Sequence, residues 1–139
     1  MPVYEVNYLA VLVAAIASMA LGALWYSPRL FGKMWMSLMG FTEAHMAEAK
    51  KKGMGKSYAI MFVGSLLMAY VLSHWIDATS SSTVGAGFQA GFWAWLGFIA
   101  PVTLGSVLWE GKSWKLWVLN NGYQLVLLLI MGALLSVWA

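Results

Sequence analysis

Four stretches of this chain, 7–26, 57–76, 85–109 and 115–138, contain no Lys, Arg, Asp or Glu in their interiors. At a rise of about 1.5 Å per residue, each is long enough as a helix to cross a hydrocarbon layer about 30 Å thick. A backbone in lipid has no water to bond, so its N–H and C=O groups must be satisfied within a helix or around a closed barrel. These runs are too long and too uniformly apolar for barrel strands, and helices follow. The expectation is an all-α integral membrane protein, with four transmembrane helices forming one domain over residues 1–139. Only 9% of the residues are charged, against about a quarter in soluble domains. No length remains for a separate soluble domain.

The cations give the chain a direction. Arg29, Lys33, Lys50, Lys51, Lys52 and Lys56 fall between the first and second runs, and Lys112 and Lys115 fall between the third and fourth; these are all eight basic residues. An even number of crossings separates the two connections, so they share a side, which the positive-inside rule makes cytoplasmic. The expected location is the cell inner (plasma) membrane, multi-pass, with residues 27–56 inside and both termini and the connection DATSSSTV (77–84) outside. The opening MPVYE lacks the cationic start of a signal peptide, so the first run is expected to be retained. This asymmetry accounts for the net charge of +3 without invoking nucleic acid. With no Cys and two His, the chain offers no disulfide, no thiolate nucleophile and no metal-ligand cluster, and no cofactor is expected.

Within the long connection, PRLFGKMWMSLMGF (28–41) has a polar face of Arg29, Lys33, Ser37 and Gly40 at helical spacing, with apolar residues filling the rest. That pattern predicts a short amphipathic helix lying in the headgroup plane between the first two spans. Thr42 is placed to cap a second helix, EAHMAEAKKK, in which Glu48 and Lys52 stand at i,i+4. As a functional feature this is a docking surface for a partner or anionic lipid. The plainer reading is a solvated helix bearing the inside-positive charge.

The first span ends LGALWYSPRLFGKMW and the third LGSVLWEGKSWKLW, sharing L-G, then L-W, then G-K-x-W. Both run outside to inside, so the halves read as a parallel two-helix repeat about an axis normal to the membrane. Convergence at an interface rich in Trp and Lys is the alternative. Together with GKSYAIMFVGSLLMAYVLSHW in the second span, GFWAWLGFIAPVTLGSVLWEGKSWKLW (91–117) and the opening VNYLAVLVAAIASMALGALWYSPRLFGKMW resemble a family of small prokaryotic membrane proteins catalogued only as a domain of unknown function. The resemblance covers nearly the whole chain, in an order of Pro, Gly, Trp, Glu and Lys unusual for generic membrane helices. It implies the four-span architecture and brings no activity, cofactor or catalytic residue.

Small residues recur at fours in two spans: Ala10, Ala14, Ser18 and Gly22, then Gly87 and Gly91, then Gly97, Pro101 and Gly105. Such stripes let membrane helices pack closely. Pro101 is expected to kink the third span and to leave the Gly97 carbonyl without its usual donor, a gap for Thr103, Ser106 or water. In SVLWEGKSWKLWVLNNGYQ (106–124), Trp109, Trp114 and Trp117 suit the headgroup level, and Glu110 and Lys112 sit in the turn, free to pair with each other or with lipid heads. Asn120, Tyr123 and Gln124, at i, i+3 and i+4, share one face of the fourth helix, with Gln124 roughly 13 Å beyond Lys115. Unpartnered amides in hydrocarbon cost several kcal/mol, so this face must turn toward the bundle or an oligomer axis. There it either bonds helices together or serves as a ligand or permeation site. At the outer end Asn7, Ser73, His74, Asp77 and Gln89 form a second polar set, in which His74 and Asp77 at i,i+3 suggest a proton or cation site, against a plain interfacial role. His45 is expected to be solvated.

Three function classes remain. Binding or passing a small solute or ion, within the bundle or a homo-oligomer, is favoured by the polar face of the fourth helix. A non-transporting accessory protein acting through the amphipathic segment is the alternative, since the span interiors hold no ionisable charge of the kind most pumps use. An enzyme is not expected. There is no Ser-His-Asp set and no carboxylate pair at one depth, and Glu110 and His74 lie at opposite ends.

Overall fold

Asn7 starts the first helix: its side-chain oxygen accepts from the Ala10 N–H, 3.2 Å away, and caps α1 (Tyr8–Trp25). The computed structural model describes residues 6–138; the opening MPVYE, on which the expectation of a retained first run rests, lies outside the described residues. After α1 come α2 (Gly32–Met39), α3 (Glu43–Lys52) and α4 (Gly55–Ala78). The third span is built from pieces: α5 (Val84–Ala94), a π-helical turn (Trp95–Ile99), α6 (Ala100–Thr103) and α7 (Gly105–Leu108). The last helix is α8 (Trp114–Val137). Thr83 and Ser113 cap α5 and α8 through their hydroxyls, as Asn7 caps α1. Four segments, Tyr8–Trp25, Gly55–Ala78, Val84–Leu108 and Trp114–Val137, are long and apolar enough to cross a membrane, and no strand occurs among the described residues. The chain is an all-helical, multi-pass membrane protein.

α8 is the hub, packing against α1, α4 and α5. Its closest partner is α5, where Gly87 and Gly91 meet Gly132 and Leu128: a methyl group on Gly87 or Gly132 would overlap the other's backbone, and one on Gly91 would overlap the Leu128 carbonyl. Backbone contact of this kind maximises dispersion where lipid removes any hydrophobic drive for helix association. In α1 the expected stripe packs: Ala10, Ala14 and Ser18 are buried, the Ser18 and Ser65 hydroxyls meet at 3.1 Å, and Gly22 makes room for the Tyr123 ring. The third-span stripe does not continue beyond Gly91. Gly97 and Pro101 are exposed, a methyl group on Gly97 would meet open space, and Gly105 is approached only by Trp109. Gly97 follows Gly91 by six residues, which in a regular helix already lies about 120° off the Gly87–Gly91 face, and the π turn at 95–99 shifts the phase again before Pro101.

Asn7 Nδ2 donates to the Trp138 carbonyl at 2.7 Å at one end of the bundle, and Trp25 Nε1 to the Leu119 carbonyl at 3.2 Å at the other. α1 and α8 are therefore antiparallel, and the two connections bearing all the Lys and Arg share an end. At that end the chain leaves α1 through a tight turn, with the Gly32 N–H on the Ser27 carbonyl at 2.9 Å; any Cβ on Gly32 would strike the Tyr26 carbonyl. α2 packs on α8, while α3 buries none of its residues. His45 has a defined task there: its Nδ1 accepts from the Thr42 N–H at 3.1 Å, while Thr42 caps α3.

Candidate functional site

Pro101 has no N–H to return to Gly97, and the preceding turn opens to π geometry, the Ala100 N–H bonding the Trp95 carbonyl. Thr103 does not rescue Gly97. Its hydroxyl lies 2.9 Å from the Ile99 carbonyl and 3.2 Å from that of Ala100, while Ser106 Oγ donates to the Thr103 carbonyl at 2.8 Å. The helix then breaks at Leu104 and resumes as α7, and in the turn beyond it Gly111 takes left-handed geometry with φ +72°. The Glu110 N–H closes onto the Gly105 carbonyl and the Lys112 N–H onto that of Ser106.

Between this broken segment and the first half of α8 lies a cavity of about 480 Å³, with Met39 of α2 at its edge. Its polar lining comes from Thr103, Ser106, Glu110, Lys112, Asn120 and Asn121. A closed ring of hydrogen bonds forms one wall. Trp117 Nε1 donates to Thr103 Oγ1 at 3.1 Å, Thr103 Oγ1 to Asn121 Oδ1 at 2.7 Å, and Asn121 Nδ2 to the Trp117 carbonyl at 2.9 Å. The Asn121 carbonyl also accepts from Trp95 Nε1 at 2.9 Å. Asn121, 3% exposed, thus ties the π turn and α6 to α8.

The three residues expected to share one face divide among neighbours. Asn120 Oδ1 accepts from the Tyr26 hydroxyl at 2.8 Å and the residue also lines the cavity. Tyr123 donates to the Ser18 carbonyl at 3.3 Å and stands edge-on to Tyr26. Gln124, one turn deeper than Asn120, holds its Oε1 buried with no hydrogen-bond partner. Asn121 escaped the sequence reading because the spacing rule selected its neighbour. Consecutive residues on a helix diverge by about 100°, so two adjacent asparagines serve two different helices. The signal available was Trp117 one turn before Asn121, a backbone carbonyl within reach of the amide.

The outer set also separates. Asn7, Ser73 and Asp77 line a second cavity of about 450 Å³ with Ser80, Ser81 and Ser82. His74 instead meets the Tyr70 ring edge-on at 4.6 Å between centroids, and Gln89 is exposed on α5. Asn7 is spent on capping α1 and holding Trp138. Among the described residues no three His, Cys, Asp or Glu side chains gather to hold a metal ion. The two echoed tryptophans differ in role: Trp25 is half-buried and bonded to α8, whereas Trp109 is 86% exposed.

A four-span helical bundle whose third span is broken beside a cavity of mixed polar and apolar lining defines the class, a small multi-pass membrane protein. Within it, the chain belongs to the family described as Protein of unknown function (DUF1761), whose model matches residues 9–136. Neither a curated protein nor a solved structure matches the chain.

Proposed function

We propose that this protein binds a small polar or amphipathic solute in the cavity at the break of the third span. The observation that supports this reading is the cavity itself: a helix interruption at the cationic end, walled by a satisfied amide ring and lined by one carboxylate, one ammonium and a second amide. Irregular backbone at membrane depth is tolerated where it lines a cavity or is buried in protein, and transporters place substrate sites at such interruptions. Binding is favoured over passage through one chain, because Leu127, Leu128 and Met131, deeper on α8, are all buried in the apolar core. Passage requires further copies, for which the outward-facing Gly97 and Pro101 provide an unobstructed surface. The positive-inside rule makes the cationic end cytoplasmic in a plasma membrane, with the chain ends and residues 79–83 outside.

An experimental structure in lipid nanodiscs, at a resolution that reveals water, tests this reading. Ordered water or solute density among Ser106, Glu110 and Asn120 is expected; a collapsed, dry contact between α7 and α8 overturns it. A second reading, an accessory protein docking through residues 28–52, is supported by α3, whose run Lys50–Lys52 is exposed and buries nothing. Under that reading, replacing this segment removes a co-purifying partner while the cavity stays empty.

A further inference from the structure

We infer that the ligand of this cavity is a bilayer amphiphile with a zwitterionic head, an ammonium and a phosphate joined by a short linker, that enters sideways from the lipid. The inference rests on the binding role proposed above and names its ligand class.

Val102 and Trp109, which line the cavity, are 75% and 86% exposed. On a membrane-spanning segment, exposed apolar side chains of this kind face acyl chains, and an indole at a span end sits at the headgroup level. The cavity therefore opens toward the bilayer at the depth of the lipid heads. Met39, Val102 and Leu116 supply an apolar flank, suited to the first carbons below such a head.

The charges select the head. Glu110 and Lys112 both line the cavity and flank Gly111, whose left-handed φ of +72° turns the chain between them. Two residues on either side of one turn stand at most about 7 Å apart along the backbone, near enough for two long, flexible side chains to engage the two charges of one small head group together. Among the described residues neither side chain has a charged partner within ion-pair distance. A lone anion satisfies Lys112 and is repelled by Glu110, and a lone cation does the reverse. A zwitterion satisfies both, its ammonium at Glu110 and its phosphate at Lys112, and the neighbouring Trp109 in the lining supplies an indole to which an ammonium is attracted. Asn121 and Thr103 are committed to each other, so the amide left for the ligand is that of Asn120.

The test is native mass spectrometry of the delipidated full chain titrated with short-chain phosphatidylethanolamine, short-chain phosphatidylglycerol and water-soluble phosphoethanolamine. The expected result is one phosphatidylethanolamine per chain, held about tenfold or more tightly than either competitor, a difference of about 1.4 kcal/mol. Glu110→Gln should erase the preference over phosphatidylglycerol, and Trp109→Ala, at an exposed position, should weaken the zwitterionic lipid without altering helix content. Equal binding of the two lipids, or a preference that survives Glu110→Gln, overturns the zwitterion. Phosphoethanolamine bound as tightly as the lipid overturns the bilayer route and leaves a solute-binding cavity standing. If none of the three binds, the ligand class fails, and the nanodisc structure then decides separately whether the cavity holds any solute.

Discussion

At the scale of single residues, two neighbouring asparagines have opposite assignments. Asn121 is buried and bonds at both ends of its amide to groups that are themselves engaged, so its removal leaves Thr103 without its shortest acceptor and cuts the tie between the broken segment and α8. Asn120 makes one bond, to a Tyr26 hydroxyl at the edge of the cavity. Polar bonds between membrane helices are worth about 0.6–2 kcal/mol. Asn121→Ala should therefore lower unfolding free energy by about 1–2 kcal/mol, and Asn120→Ala by about half of that or less. Reversible denaturant titration in mixed micelles checks the ranking; equal losses at the two positions would contradict the division of labour. A stable Asn120→Ala variant with weakened ligand binding would identify the residue as part of the site and not of the scaffold.

At the scale of elements, the third span does two jobs with one sequence run. Its first half meets α8 backbone to backbone through Gly87, Gly91 and Gly132. Its second half, the π turn and the short helices after it, leaves Gly97 and Pro101 exposed and borders the cavity. Substitutions at chemically equivalent positions should then diverge. Gly132→Leu forces α5 and α8 apart at a backbone contact and should cost 3 kcal/mol or more on the scale of about 1–3 kcal/mol for ordinary overpacking. Gly97→Ala adds a methyl group to open space in a helix and should be neutral within about 0.5 kcal/mol. Thermal unfolding of the two variants separates them, and a destabilised Gly97→Ala would show that this face packs against a second copy.

For the whole molecule, the two basic connections share one end while residues 79–83 and the described ends of the chain share the other. The sequence contains no Cys, so single-cysteine variants report sidedness without background. A membrane-impermeant maleimide should label Ser82→Cys in intact cells and Ala47→Cys only after permeabilisation. The reverse pattern would place the cavity on the outer face and set aside the cytoplasmic orientation.

Legible in the sequence were the four spans, the helix cap at Thr42 and the gathering of the basic residues at one end, while the caps at Asn7, Thr83 and Ser113 came only with the structure. Each of the legible features depends on properties written along the chain: hydropathy over about 20 residues, a hydroxyl just before a helical run, and the parity of crossings. The sequence also placed the α1 stripe, because an uninterrupted helix keeps a four-residue spacing on one face. Only the packed bundle shows that Trp95, at the start of the π turn, and Thr103, beyond it, both bond to α8 while Gly97 and Pro101 are exposed, because the phase shift of a π turn is not written in hydropathy or residue type. It decided, too, that Asn121 rather than its neighbours locks the break, and that Ser106, Glu110, Lys112 and Asn120, up to 14 positions apart in the chain, surround one cavity. Which helix meets which face depends on how the spans gather around α8, and that arrangement is a property of the packed bundle.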